Sequence, residues 1–73
     1  MKNIKIIFDW AKEHGDAKVI DRILVSLLPE LLKNNIKLTS ETIELSKTIE
    51  VSDELYESIK AKSEELVGSS FKS

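Results

Sequence analysis

The chain has 73 residues, 11 basic and 13 acidic, giving a formal net charge of −2, with one histidine and no cysteine. That length holds one small domain, and 41% apolar with 33% charged residues is a globular composition, not a disordered one. The missing cysteines exclude a disulfide framework and thiolate metal sites, and so thin a core leaves little room for an enzyme pocket of roughly 300–1,000 Å³.

In chain order, Ile4, Ile7, Phe8 and Ala11 recur at helical spacing, so the first segment predicts a helix. Ile4, Ile6, Phe8 and Trp10 also alternate, which makes a short strand the competing reading. Gly15, following Lys12, Glu13 and His14, predicts the helix stop, and Asp16 is a good N-cap for the next one. In that second helix Val19, Ile20, Ile23, Leu24, Leu27 and Leu28 form a wide apolar face, the expected centre of the core. Pro29 either kinks it or opens a further short helix through Leu31 and Leu32, and Asn34-Asn35 supplies a stop.

Thr39 is the expected N-cap of a helix carrying the stripe Leu38, Thr42, Leu45 and Ile49. Ile43, Leu45, Ile49 and Val51 alternate as well, so residues 43–51 are read as helix with strand as the alternative. For the last helix Ser52 is the N-cap, Asp53 and Glu54 favour its positive end, and Val51 is placed to staple against Tyr56. Leu55, Ile59, Leu66 and Val67 give its buried face and Gly68 its stop. The expected fold is all-α: a compact bundle of four to five short helices over residues 1–68, with a flexible tail at 69–73. The alternative is an α+β arrangement with a short strand near 47–51.

Two resemblances concern the C-terminal half. Residues 42–62, with Leu45, Ser46, Ile49, Val51, Tyr56 and Ile59 at apolar or small positions and a turn at Glu50-Val51-Ser52, resemble a helix-turn-helix motif. This implies a DNA-reading second helix, but Glu50 occupies the usual glycine position of the turn. Lys47 to Tyr56, followed by Gly68-Ser69-Ser70-Phe71, is similar to the strand and first helix of ribbon-helix-helix repressors, which implies an intertwined dimer with the strand in the major groove.

Charge argues against both DNA readings. Residues 1–38 carry seven basic and five acidic side chains, and residues 39–73 carry four basic and eight acidic, so the near-neutral total separates into +2 and −4. Asp53, Glu54 and Glu57 would face phosphates where binding requires counterion release.

Catalytic groupings are meagre. His14 is the only histidine, with Glu13, Asp16 and Asp9 nearby, which falls short of a metal site, and no second histidine stands ready to activate any of the nine serines. No metal, cofactor or enzymatic activity is expected. The most apolar window, Ile23 to Leu28, is far below a membrane span, and no secretory leader is visible, so a cytoplasmic protein is expected.

A chain this small usually gains stability from a partner. The leading expectation is therefore a non-enzymatic interaction module: an inhibitor, immunity protein or adaptor of a larger protein, of the kind common in bacteria and phages. Ile6 and Trp10 would be its apolar anchors, and Glu50, Asp53, Glu54 and Glu57 its orienting charges. A dimeric DNA-binding regulator using 42–62 and a structural homo-oligomer are the alternatives.

Overall fold

A computed structural model describes residues 1–71. Lys2–Asn3 (β1) leads into helix Lys5–His14 (α1), followed by Val19–Ser26 (α2), Leu28–Lys33 (α3) and Ser40–Leu45 (α4). Glu50–Val51 (β2) then pairs antiparallel with β1, Lys2 opposite Val51 and Asn3 opposite Glu50, and the chain closes with helix Asp53–Val67 (α5). The described residues are thus mostly helical, five helices with a two-stranded ribbon.

The first stripe is read correctly: Ile4, Ile7, Phe8 and Ala11 are all buried. The N-terminal strand is confined to Lys2–Asn3, because Asn3 turns the chain into α1. Its side-chain oxygen accepts from the Lys5 N–H at 3.0 Å and the Ile49 N–H at 2.9 Å, so one carboxamide ties the first residue of α1 to the segment before β2.

Gly15 ends α1 by close approach: a Cβ there would lie 2.9 Å from the Ala11 carbonyl oxygen and 3.2 Å from the Val19 side chain. Asp16 is not the N-cap of α2, which is Lys18, two residues further on and without a side-chain cap. The Asp16 side chain accepts from the Lys18 N–H at 2.9 Å and pairs with Arg22 at 3.2 Å, while α2 itself begins at Val19.

Leu27 joins α2 to α3, where Pro29 stands in the first turn. Asn35, at φ 59°, ends α3. The Asn35 N–H bonds to the Leu32 carbonyl and the Ile36 N–H to the Leu31 carbonyl, the Schellman pattern that closes a helix through a left-handed residue.

Residues 43–51 divide between the two readings. Thr39 caps α4 as expected, its hydroxyl oxygen accepting from the Thr42 N–H, but the helix ends at Leu45 and residues 50–51 form a strand. The stripe Leu38, Thr42, Leu45, Ile49 therefore fails. With only six residues, α4 buries Ile43 and leaves Leu45 78% exposed.

In α5, Ser52 caps the start and Gly68, at φ 80°, makes the left-handed stop. Helix α5 packs across α1 and α2, which also touch each other, and one apolar cluster runs from Ile4 to Phe71. Phe71 is a further departure from the expected tail at 69–73. Residues 69–71 turn back and bury its ring, while positions 72 and 73 lie outside the described residues.

Candidate interaction surface

On α1, Ile6 is 45% exposed on the outer face and Trp10 is half-buried on its flank. Trp10 is already engaged. Its ring meets Phe71 edge-on, with centroids 5.2 Å apart and planes at 69°, and lies 5.6 Å from the His14 ring. His14 Nδ1 is 3.0 Å from the Trp10 carbonyl oxygen, one helical turn back.

The Phe71 N–H donates a 2.8 Å hydrogen bond to the Glu64 carboxylate. Ordering residues 69–71 costs roughly 3–6 kcal/mol, at about 1–2 per residue. Against this, burial of the Phe71 ring contributes about 1.5–3 kcal/mol. The aromatic edge adds about 0.5–1.5 kcal/mol and the amide–carboxylate bond about 1.5–3 kcal/mol. Closure of this segment on Trp10 is therefore balanced to within a few kcal/mol.

Glu50 on β2 and Asp53, Glu54 and Glu57 in the first turns of α5 are all exposed. Among the described residues none of the four joins an ion pair; those pairs link Lys5 with Asp9, Lys12 with Glu44, Arg22 with Asp16 and Lys62 with Glu65. The fold does not gather the six sequence candidates into one site. Trp10 sits beside Phe71, past the C-terminal end of α5, whereas Asp53 begins that helix about 20 Å away at ~1.5 Å per residue. Glu50 is nearer α1, pairing with Asn3 three residues before Ile6.

The sequence expectations did not include an exposed apolar feature on α2 and α3. Val25, Leu28 and Leu32 are 73%, 49% and 57% exposed. The α2–α3 junction keeps helical hydrogen bonds, from the Leu27 N–H to the Ile23 carbonyl and from the Leu31 N–H to the Leu27 carbonyl. At about 100° per residue the three side chains fall within roughly 60° of arc, on the side away from buried Val19, Ile23, Leu27 and Leu31.

The signal lies in the run Ile23 to Leu28, which holds more apolar residues than one helix face can bury; Leu28, expected on the inward face, is 49% exposed. Between α2 and the end of α5, Val25 and Leu66 line an open groove of about 440 Å³ edged by Lys18, Asp21 and Arg22.

A second cleft, of about 140 Å³, lies between α1 and α4 beside Phe8, Ile20 and Ile43. Its charged groups are paired: Lys5 with Asp9, and Lys12 with Glu44 at 2.9 Å. The Lys12 ammonium, through its hydrogen bond and then its charge, holds the Glu44 carboxyl below the ordinary carboxylate range. Among the described residues there is no group of three or more His, Cys, Asp or Glu placed to hold a metal ion. No helix among them is long and apolar enough to cross a membrane. Comparison with family models, with curated proteins and with solved structures finds no match to this chain.

Proposed function

We propose that this chain is a non-enzymatic protein-interaction module that regulates a larger protein by covering part of its surface, as an inhibitor, immunity protein or adaptor does. One observation carries the reading: Val25, Leu28 and Leu32 form an exposed aliphatic stripe on the face of α2–α3 turned away from the core. Clustered aliphatic side chains exposed to water favour burial by about 25 cal/mol per Å². Along the adjoining groove Lys18 and Asp21 balance and Arg22 is paired with Asp16, so the partner surface that fits it is mainly apolar. Ile6 extends the contact on α1, and Glu50, Asp53, Glu54 and Glu57 orient the approach from the other end of α5.

The test compares wild type with Val25→Asp/Leu32→Asp, both carrying a cross-linker, in extract from the source cell. The paired variant keeps its helical circular dichroism and loses the protein that wild type captures. Capture of the same protein by both forms would remove the stripe from the mechanism. Tight duplex-DNA binding at about 150 mM salt, falling steeply as salt rises, would replace this reading with a DNA-binding one. A dimer in light scattering that Val25→Asp/Leu32→Asp dissolves would replace it with self-assembly.

A further inference from the structure

We infer that residues 69–71 are a clasp that opens and closes over Trp10 while the rest of the fold stays intact, so that exposure of the indole is a switched property of this chain. Gly68, in the left-handed conformation, turns the chain back at the end of α5. Two interactions then hold the segment: the Phe71 ring edge-on to Trp10, and the Phe71 N–H on the Glu64 carboxylate. Ser69 and Ser70 between them are exposed. Most of the core cluster that Phe71 joins comes from earlier in the chain. Ile4, Ile7, Phe8, Ile23 and Ile59 are buried, and α5 packs across α1 and α2 before the chain reaches Gly68.

Because closure is nearly balanced, the open state is a low-lying excursion separate from global unfolding. Opening uncovers the indole of Trp10 on α1 and frees the Glu64 carboxylate near the end of α5, an aromatic face on one helix and a hydrogen-bond acceptor on the other. The use of that face in docking rests on the proposed function; the opening itself does not, and it is measured on the chain alone.

Trp10 is the sole tryptophan, so its fluorescence reads the clasp directly. In native-state amide exchange of the full chain, the Phe71 amide is expected to exchange at least about tenfold faster than that of Ile59, yet measurably slower than an unstructured peptide. Phe71→Ala is expected to shift Trp10 emission to the red and raise acrylamide quenching about twofold, with Ile59 exchange changed less than about threefold. Phe71→Leu should fall between the two.

Equal protection of Phe71 and Ile59 would overturn the clasp by making the segment part of the global core. Peptide-like exchange at Phe71 would overturn it by showing that closure is not populated. Unchanged emission in Phe71→Ala, or loss of helical signal in that variant, would likewise sink it.

Discussion

The Lys5 ammonium donates a 2.6 Å hydrogen bond to the Ile43 carbonyl oxygen, across 38 positions of sequence. With Asp9 3.2 Å from the same nitrogen, this tie draws α4 onto α1. A helix of six residues has no independent stability, and Ile43 is the buried side chain of α4. Lys5→Met should cost about 1–2 kcal/mol through loss of a charged hydrogen bond. Ile43→Ala should cost about 2–4 kcal/mol. In amide exchange both should loosen residues 40–45 more than α5.

The pair Lys12–Glu44 gives the same contact a pH dependence. The Glu44 carboxyl titrates below its ordinary value of 4.5 in the folded chain, held down by the Lys12 hydrogen bond and charge. Its contribution to stability is therefore complete above 4.5 and is lost as pH falls through the lowered folded value. The stability difference between wild type and Lys12→Met should vanish in acid, and the NMR titration midpoint of Glu44 should rise in the variant.

Ser63 is fully buried on α5, in line with Leu55 and Ile59 at four-residue steps, and among the described residues its hydroxyl has no hydrogen-bond partner. Removing a desolvated, unpaired hydroxyl should stabilise the fold. Ser63→Ala should gain about 1–2 kcal/mol in urea unfolding, part of it from helix propensity.

Gly15 should be intolerant for the opposite reason. A methyl group there meets the Ala11 carbonyl and Val19 in a closely packed turn. Gly15→Ala should cost about 1–3 kcal/mol, read as a lower melting temperature, even though the Gly15 backbone is not left-handed.

Asp53 and Glu57 make two contributions that separate experimentally. Reversing Asp53 at the positive end of α5 removes about 0.3–1 kcal/mol of favourable dipole interaction. Asp53→Lys/Glu57→Lys should also slow association with the captured partner, with a weaker salt dependence, and change dissociation little. Association kinetics indifferent to the pair would leave the acidic residues with a capping role alone.

Local signals were legible wherever one residue fixes the backbone. Thr39, Ser52, Asn35 and Gly68 mark helix ends through caps and left-handed turns, and the stripe from Ile4 to Ala11 needs no distant partner to be read. Residues 46–51 were not legible in this way, because Ile49 and Val51 alternate equally well in either state. What decides them is Asn3, 46 positions upstream, which takes the Ile49 N–H.

The same non-local dependence hid the surface. Leu28 is apolar and helical like Leu27, and only the direction of α5 tells which of the two is covered. The helix-turn-helix resemblance lost its tight turn for a related reason: seven residues, 46 to 52, separate α4 from α5 and include β2. In the ribbon-helix-helix resemblance the strand pairs with a second chain; here β2 pairs with β1 of its own.

That pairing orders events during synthesis. Lys2 and Asn3 are made before their partners and pair only once Val51 and Glu50, 49 and 47 positions later, have emerged. Until then α1 and α2 have neither α5 across them nor a ribbon at their edge, and their apolar stripes stay open to whatever the cell offers. A nascent chain halted near Val51 should therefore depend on chaperones far more than one long enough to bring α5 down on its neighbours.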